Sequence, residues 1–306
     1  MTRIFLIVLS LFPYLIDAQS NADTLRKHVV RLSTSPYART QKNIETLNKA
    51  ANYIHQYFSK SCEEVVFQNF EMNHVNYKNV IASFGPSQGA RFILGAHYDV
   101  FGEAPGADKN ASGVAGLLEI ARLLKKNEKL LLYRIDLVAY TLGDANSIAP
   151  KNSGSFLHAN SLKQNNVEVL GMINLDCIGF FTDRPRSQVY PFFLYPFMYG
   201  RIGNFIAVIQ QPGNGLWARQ MRYLFKQYMY DLRVINFKPA VPFDGFGDGD
   251  QKNYWDLGYP AILVTDTKFY RNKNYHYDLD TFETLDYFRM AKVVDMVYKS
   301  LIHYQA

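Results

Sequence analysis

Two periodicities of apolar residues alternate along the chain. Short apolar runs, typical of buried strands, are separated by segments in which apolar residues return every three or four positions, as on one face of a helix. The first pattern predicts strands at residues 63–72, 78–84, 92–96, 132–142, 169–179, 204–210, 233–237 and 261–265. The second predicts helices at residues 23–32, 40–59, 113–126, 155–164 and 216–231, with a helical turn at 253–257. Because strands alternate with helices, the sequence predicts an α/β fold whose mostly parallel sheet is covered on both faces.

Two segments need separate interpretation. Asp280 and Glu283 precede the last apolar-periodic stretch in the pattern of a capping box, which predicts a closing helix after them. Residues 180–203 are irregular and rich in aromatic residues and prolines. This segment is too apolar for a solvated loop. It is expected either to form a wall or lid over a crevice or simply to cover part of the core.

The stretch GAHYDVFGEAPGADKNASG at residues 95–113 carries the first candidate chemistry. A predicted strand delivers His97, Asp99 follows two residues later, and a tight turn with Asp108 and Lys109 precedes a helix. In an open α/β sheet, ligands bind in the crevice at the carboxyl ends of the strands. An imidazole with a carboxylate close by is also suited to metal ligation, because the carboxylate supports the ring from behind.

Three further polar residues stand at the exits of later predicted strands. Asp144 and Asp176 come at the ends of long apolar runs, and His276 lies in the loop after the last predicted strand. With His97, all three are expected to reach one edge of the sheet. A single residue of this kind is more often a hydrogen-bonded structural group, but four at strand exits favour a metal site.

The composition is typical of a globular protein. The chain has 306 residues, of which 48% are hydrophobic and 20% are charged. No linker divides it, so we expect a single domain over residues 19–306. Residues 1–18 resemble a signal peptide, because Arg3 precedes an apolar run and Ala18 offers a small residue before a cleavage point. The alternative is a membrane anchor, but the apolar run is short for a span. The mature protein is expected to be exported, periplasmic or secreted, with no stable membrane insertion after cleavage.

Charge and cysteine content exclude some classes. The formal net charge of +6 is modest, and Lys and Arg form no basic tract, so no nucleic-acid partner is expected. Cys62 and Cys177 are the only cysteines. Cys177 lies in an apolar strand pattern and is expected to be a buried thiol, while the spacing leaves open whether the two are paired. No Gly-x-Ser-x-Gly motif surrounds Gly143, and no cysteine is placed with a histidine, so a serine or cysteine hydrolase is not indicated.

The chain resembles the secreted di-zinc aminopeptidases, bacterial leucyl aminopeptidase-like proteins of the zinc-exopeptidase fold, whose relatives include the glutaminyl cyclases. The matching stretches cover most of the mature chain in the right order: GAHYD at 95–99, PGADKNASGVAGLLEIARLL at 105–124, VAYTLGD at 138–144, GMINLDCIGF at 171–180, SQVYP at 187–191, YWDLGYPAILVTDT at 254–267 and YRNKNYHYDLDTFETLDY at 270–287. The resemblance implies a single domain with a mixed, about eight-stranded sheet between helices. It also implies two zinc ions and a peptide hydrolase that releases N-terminal amino acids.

The resemblance further implies a role for each site residue. The first zinc would be held by His97 and Asp176, and the second by Asp144 and His276. In the family, a carboxylate at position 109 bridges the two ions, a glutamate at position 143 is the general base, and the counterpart of Asp99 orients the first histidine. The residues expected to line the substrate crevice are Lys109, Asp108, Asp250 and Tyr275.

This chain departs from the family pattern at the positions that carry the chemistry. Lys109 replaces the bridging carboxylate, Gly143 replaces the general base, and Asp144 is one methylene shorter than the family's glutamate. A family Asp-His pair reads Asp250-Gln251. An ammonium group facing a dication at about 4 Å costs about 8 kcal/mol at an effective dielectric constant near 20. Loss of a positioned base forfeits about 10²–10⁴-fold in rate. A dinuclear hydrolytic centre is therefore not expected.

Two arrangements of Lys109 remain open. Its ammonium group either lies between Asp144 and Asp176 in place of the metals, or turns to solvent and leaves a partial site. The first arrangement needs no cofactor, because the lysine balances the charge of the carboxylates. The second leaves room for a single, weakly bound zinc ion.

Two functions correspond to these arrangements. The first is an exported, catalytically impaired family member, a pseudoenzyme, that binds a peptide or protein N-terminus in the retained crevice. The second is an active metal-dependent aminopeptidase with a single or atypical zinc site and a base drawn from Asp99, Asp108 or Asp250. A glutaminyl-cyclase-like activity is disfavoured, because the single-zinc relatives still use the carboxylate that Lys109 replaces.

Overall fold

The computed structural model describes residues 19–144, 150–211, 213, 215–239, 244–245 and 247–305. The expected signal peptide at residues 1–18 lies outside them. The strands are β1 Glu64–Met72, β2 Val75–Phe84, β3 Arg91–His97, β4 Arg134–Tyr140, β5 Val169–Leu175, β6 Phe205–Gln210, β7 Arg233–Phe237 and β8 Ala261–Thr265. They form one eight-stranded sheet in the order β1-β2-β4-β3-β5-β8-β6-β7. The expectation of an α/β fold with an eight-stranded mixed sheet is confirmed.

The centre of the sheet is parallel. β4, β3, β5 and β8 are neighbours that run in one direction. On one side β1 and β2 form an antiparallel hairpin, and on the other side β6 pairs antiparallel with β8. The four parallel strands end at His97, Tyr140, Leu175 and Thr265, so the loops that follow them leave from one edge. This is the edge at which an open α/β sheet binds ligands.

Helices cover both faces of the sheet. They are α1 Ala22–Ser33, α2 Ile44–Phe58, α3 Gly113–Asn127, α4 Gly154–Gln164, α5 Tyr195–Tyr199, α6 Gly215–Tyr228, α7 Asp250–Asp256 and α8 Tyr287–Ile302. α1, α2, α3, α6 and α8 share the main core on one face. α4 and α7 pack on the other face, around Tyr140, Met172 and Tyr254. Of the described helices, none has the length and apolar character needed to cross a membrane.

β2 begins three residues before the predicted strand. Asn73 and His74 have positive φ angles of 51° and 62°, and they form a two-residue turn of the kind that joins antiparallel strands. Met72 and Val75 are therefore direct partners across the hairpin.

The closing helix begins later than the capping-box pattern predicts. The N-cap of α8 is Asp286, whose side chain accepts a hydrogen bond from the amide of Arg289 at 2.9 Å. The predicted capping box at Asp280 and Glu283 is therefore wrong. Asp280 is engaged elsewhere, at the turn before α3.

The aromatic segment 180–203 covers the outer strands β6 and β7. The rings of Tyr190, Tyr195 and Tyr199 pack against Phe237, with centroid distances of 6.2, 5.4 and 4.9 Å. Tyr190 also stacks on Phe205. Of the two expectations for this segment, these contacts match the one in which it covers core.

Both cysteines are free and buried. Cys62 Sγ lies 2.9 Å from the carbonyl oxygen of Ser83, and burial raises the pKa of the Cys177 thiol. The pairing that the sequence leaves open is therefore not formed between these two residues.

Candidate functional site

Loops at the carboxyl edge of the sheet bring the predicted site residues together. His97 is the last residue of β3, and Asp176 directly follows β5. Asp144 lies in the loop after β4, and His276 lies in the loop after β8. His97 and Asp176 are buried, so their polar atoms need partners within the protein.

Lys109 lies at the centre of this group. Its Nζ is 2.7 Å from His97 Nε2, 2.9 Å from Asp176 Oδ1 and 3.9 Å from Asp144 Oδ1. The side chain is 5% exposed, so the ammonium group points inward rather than to solvent. The ring of Tyr275 lies 5.9 Å from the same nitrogen. The ammonium group thus lies within 4 Å of three of the four side chains that the family resemblance assigns to zinc, those of His97, Asp176 and Asp144.

The charges in this group are mutually compatible. Burial disfavours the Lys109 ammonium, but the carboxylates of Asp144 and Asp176 outweigh it and hold the pKa of Lys109 well above its usual value. Burial also opposes ionisation of these two carboxyl groups, but the charge of Lys109 outweighs it and lowers the pKa of both. Burial and the charge of Lys109 disfavour the His97 imidazolium, whereas the carboxylates of Asp176 and Asp99 favour it and raise the pKa of His97. The Lys109 ammonium group has no lone pair, however, so at 2.7 Å His97 Nε2 must accept its hydrogen bond. The ring is therefore assigned as the neutral tautomer, whose Nδ1–H donates to the carbonyl oxygen of Asp99 at 3.0 Å.

A second lysine, which the sequence analysis does not identify, faces the same carboxylate. Lys268 Nζ is 2.8 Å from Asp176 Oδ2, and its side chain is 3% exposed. Burial disfavours the Lys268 ammonium, but the charge of Asp176 outweighs it and raises the lysine pKa. Asp176 therefore has an ammonium group at each oxygen. The available signal in the sequence is the position of Lys268, just after the predicted strand at 261–265 and so at the same edge of the sheet.

Asp144 and His276 form the outer part of the site. His276 Nε2 lies 3.0 Å from Asp144 Oδ2, and the two side chains are 25% and 11% exposed. The imidazole stacks on Tyr275 at a centroid distance of 4.0 Å and on Phe101 at 4.8 Å. This aromatic wall borders the part of the site that solvent reaches.

Asp99 links the loop after β3 to the loop after β4. Its carboxylate accepts hydrogen bonds from the amides of Gly143 at 2.9 Å and Asp144 at 3.0 Å. The carbonyl oxygen of Asp99 lies closer to His97 Nδ1 than its carboxylate does, at 3.0 Å against 3.4 Å. Gly143 is held so near His97 that a Cβ built on it would lie 2.5 Å from His97 Cβ. A side chain therefore does not fit at the position of the family's general base unless the backbone shifts.

Asp280 holds the turn before α3. Its carboxylate accepts hydrogen bonds from the amides of Asp108 at 2.9 Å and Lys109 at 3.1 Å. Asp108 is fully buried, and its own carboxylate accepts hydrogen bonds from the Gly179 amide and the Asn272 side chain. The Asp108 carboxylate therefore joins the turn to neighbouring loops, and its place in the crevice stays a prediction.

Asp250, the first residue of α7, lies beside Gly143. Its Oδ1 is 3.3 Å from the point at which Gly143 would carry a Cβ. Asp250 is buried, and burial raises the pKa of its carboxyl group. Ser155 is a polar neighbour, but within the described parts of the chain neither carboxylate oxygen has a hydrogen bond of good geometry. Asp250 is thus a buried carboxyl group close to the position of the family's base.

Comparison with known proteins assigns the chain to a family. The model of peptidase family M28 matches residues 79–301. The chain belongs to peptidase family M28. It is 38% identical over 290 residues to the uncharacterized protein YfbL of Escherichia coli K12, a match that covers 91% of this chain and 87% of YfbL.

Two solved structures share the fold of this M28 chain at lower identity. LapB from Legionella pneumophila matches with a TM-score of 0.73 and 19% identity, covering 93% of this chain and 72% of LapB. Glutaminyl cyclase from Tannerella forsythia matches with a TM-score of 0.67 and 19% identity, covering 94% of this chain and 100% of the cyclase. At this identity, the likeness concerns the fold alone.

The zinc that family M28 implies needs free nitrogen and carboxylate lone pairs that converge on one point. In this chain, His97 Nε2 and both oxygens of Asp176 face ammonium groups instead. Among the residues that the structure describes, no three His, Cys, Asp or Glu side chains are grouped so that they could hold a metal ion. The residues present therefore do not fit the family's zinc site.

Proposed function

We propose that this chain is a catalytically impaired member of family M28 that keeps its crevice as a binding site for a peptide or protein N-terminus. The observation that carries the proposal is the contact of the Lys109 ammonium with His97 and Asp176. An ammonium group balances the charge of buried carboxylates. Unlike a zinc ion, it has no vacant orbital with which to polarise a carbonyl group or to bind and acidify water.

The loss of the general base supports the same proposal. Gly143 has no proton acceptor, and the space for a side chain there is closed by His97. Of the carboxylates considered as replacements, Asp99 already accepts two amides of the loop after β4. Asp108 is fully buried in the turn before α3. Neither is free to take a proton from an attacking water.

The outer part of the site supports binding of a peptide end. Asp144 is partly exposed, and the charge of Lys109 keeps its pKa low despite burial, so it stays ionised at neutral pH. A carboxylate of this kind pairs with the ammonium group of a free N-terminus. Beside it, the stacked rings of Phe101, Tyr275 and His276 offer apolar surface to the first side chain of a peptide.

The test uses the purified chain without added metal. Zinc is measured by elemental analysis, turnover with a panel of aminoacyl anilides, and binding of a short peptide by calorimetry. We expect substoichiometric zinc, no turnover, and binding of the peptide with a free N-terminus but not of its acetylated form. Asp144→Asn should weaken this binding, whereas Asp278→Asn, at an exposed position in the same loop as His276, should not. Stoichiometric zinc with chelator-sensitive turnover would overturn the proposal.

An active hydrolase is the second candidate, and the position of the Asp250 carboxyl group is the observation that favours it. Burial raises the pKa of this carboxyl group, which lies beside the vacant base position at Gly143. A raised pKa suits a general base that works near neutral pH. Under this candidate, turnover is present and is lost in Asp250→Asn but kept in Asp256→Asn, which alters an exposed aspartate of the same helix.

We also propose that the protein is exported after cleavage of residues 1–18. Support comes from Arg3, the apolar run that follows it and the small residue Ala18. N-terminal sequencing of protein recovered from the cell envelope or medium is expected to begin at Gln19. A chain that still carries residues 1–18 would contradict cleavage.

A further inference from the structure

A group of large apolar side chains is exposed on the aromatic segment 180–203. Phe193, Leu194, Phe197 and Met198 are 73%, 42%, 78% and 63% exposed, and these four are called the aromatic tip. Phe193 and Leu194 lie in the turn that leads into α5, and Phe197 and Met198 lie four positions later within the helix, so each pair is on one side of it. Apolar side chains grouped in this way on a surface mark an interaction site.

The opposite side of α5 is fixed to the sheet. Tyr195 and Tyr199 pack on Phe237, and the guanidinium group of Arg233 donates a hydrogen bond to the carbonyl oxygen of Tyr199 at 3.0 Å. Because the tyrosine side is held against β7, the aromatic tip faces away from the protein. The tip is therefore an anchored protrusion.

Arginines surround the base of this protrusion. The base is closed by hydrogen bonds from the Thr182 amide to the Gly203 carbonyl oxygen at 2.9 Å and from the Gln188 amide to the Arg201 carbonyl oxygen at 3.1 Å. Four exposed arginines lie at or beside this base and are called the arginine collar: Arg184, Arg186, Arg201 and Arg233.

Among the described residues, no arginine of the collar forms an ion pair with an Asp or Glu side chain. The sequence has no Asp or Glu between residues 184 and 230. The acidic residues that flank this stretch pair with cations of α8, Asp183 with Arg289 at 2.5 Å and Asp231 with Lys292. The surface therefore combines an apolar protrusion with the positive charges of the arginines at its base.

We propose that the aromatic tip and the arginine collar form a peripheral binding site for an anionic phospholipid membrane. On such a membrane, apolar side chains enter the boundary between headgroups and acyl chains, while arginines pair with phosphate groups. A protein partner matches this surface less well, because it would need a pocket for four apolar side chains inside a uniformly acidic rim. The inference does not depend on the chemistry of the crevice.

The test measures co-sedimentation of the purified chain with vesicles of phosphatidylcholine alone, and with vesicles that contain about one-third phosphatidylglycerol. We expect binding to the anionic vesicles only, and weaker binding as salt is raised. Phe193→Ser/Phe197→Ser should weaken binding by at least about tenfold, because two exposed rings lose their burial in the membrane. Arg184→Gln/Arg186→Gln should weaken it about 25-fold, since each basic residue near an anionic surface contributes about fivefold.

Phe288→Ser is the matched control. Phe288 is 78% exposed, as Phe197 is, but it lies on α8 beside Arg289, the partner of Asp183, and so near the collar but outside the aromatic tip. We expect this variant to bind as the parent does, and thermal unfolding checks that every variant is folded.

Three outcomes would overturn the proposal. The parent could fail to bind anionic vesicles, it could bind neutral vesicles equally well, or Phe288→Ser could lower binding as much as the double tip variant. Light scattering measures the oligomeric state and tests the alternative that the tip binds a second copy of the chain. An oligomer that the tip variant dissociates, in a parent that does not bind vesicles, would assign the tip to a second copy of the chain instead of a membrane.

Discussion

Asp176 is paired at both of its oxygens, with Lys109 at 2.9 Å and Lys268 at 2.8 Å, and all three side chains are buried. Removing one partner of a buried ion pair costs about 3–5 kcal/mol. Because Lys109 still faces Asp176 when Lys268 is replaced, the low end of this range applies. Lys268→Met removes the charge and keeps most of the length. We expect it to lower the free energy of unfolding by about 3 kcal/mol, measured by urea denaturation.

Lys273→Met is the matched control, because Lys273 is exposed in the loop that also carries His276. An exposed substitution of this kind is expected to change the free energy of unfolding by less than about 0.5 kcal/mol. Equal losses in the two lysine variants would show that the pairing at Asp176 does not stabilise the fold.

A second prediction for a single residue concerns His158, which lies away from the site. Its Nδ1 lies 2.6 Å from the hydroxyl oxygen of Tyr254, and burial lowers its pKa from 6.5 to about 4. The unfolded chain therefore binds a proton below pH 6.5 that the folded chain does not bind until about pH 4, so stability falls as the pH falls through this window. The difference of about 2.5 pKa units corresponds to about 3 kcal/mol.

We expect His158→Gln to remove this contribution. The loss of unfolding free energy on going from neutral pH to about pH 4 should be smaller in the variant than in the parent by up to about 3 kcal/mol. His74→Gln, which alters a fully exposed histidine, should leave the pH dependence as it is in the parent. Denaturation curves at a series of pH values measure both effects, and parallel pH profiles for His158→Gln and the parent would refute the assignment.

Single residues differ in how far the sequence reveals them. Lys109 is identifiable because it stands inside a contiguous motif whose neighbours define the position that it replaces. Lys268 is not, because no motif marks it and its partner Asp176 lies far earlier in the chain. Asp280 fits a local capping pattern, yet its partners, the amides of Asp108 and Lys109, lie 172 and 171 residues away. Polar contacts between distant segments leave no periodic trace in a sequence.

At the scale of elements, the start of α8 and the turn before α3 depend on different aspartates. Asp280→Ala leaves two buried amides without an acceptor and should cost about 2–4 kcal/mol of unfolding free energy. Asp286→Ala removes the N-cap of α8 and should cost about 1 kcal/mol. Glu283→Ala alters an exposed residue and should change the value by less than about 0.5 kcal/mol. Denaturation of the three variants provides the ranking, and a loss in Glu283→Ala as large as in Asp280→Ala would restore the capping box.

The predicted elements agree with the structure in their interiors and differ at their ends, because the turns determine where each element begins and ends. The strand predicted at 169–179 ends as β5 at Leu175, because Cys177 has a φ of 58°, a left-handed conformation that a strand residue does not adopt. β2 begins early because Asn73 and His74 form a tight turn. Hydrophobic periodicity marks the buried interior of an element, whereas its end depends on a few backbone angles.

At the scale of the whole molecule, alternation of strands and helices suffices to predict a mostly parallel sheet, but not its order. β8 lies between β5 and β6, although β6 and β7 precede it in the chain. β6 also runs antiparallel to β8, within a sheet whose centre is parallel. These placements depend on the routes by which the long connections between strands cross the sheet. Hydrophobic patterning does not encode those routes. The resemblance to a known family supplies the eight strands and the edge at which the site lies.

The charge balance of the site leads to a prediction about the stability of the whole protein. A ligand that binds only the folded state raises its stability, by about 4 kcal/mol at a thousandfold excess over the Kd. For a chain of this size, that corresponds to a rise in Tm of roughly 8–16 °C. Here Lys109 and Lys268 already balance the carboxylate of Asp176. We therefore expect the Tm of the parent to agree within about 1 °C in EDTA and in about 1 mM zinc.

The matched variant is Lys109→Asp/Lys268→Ala, which frees His97 Nε2 and both oxygens of Asp176. Imidazole nitrogen and carboxylate oxygen are ligands that zinc accepts, so added zinc should raise the Tm of this variant by several degrees. Lys109→Asp alone should respond less, because Lys268 still faces Asp176 Oδ2 at 2.8 Å. Scanning calorimetry of the three proteins measures this order. A zinc-dependent rise in the parent as large as in the double variant would show that the lysines do not replace the metal. No rise in a folded double variant would show that the geometry of the remaining ligands excludes zinc without them.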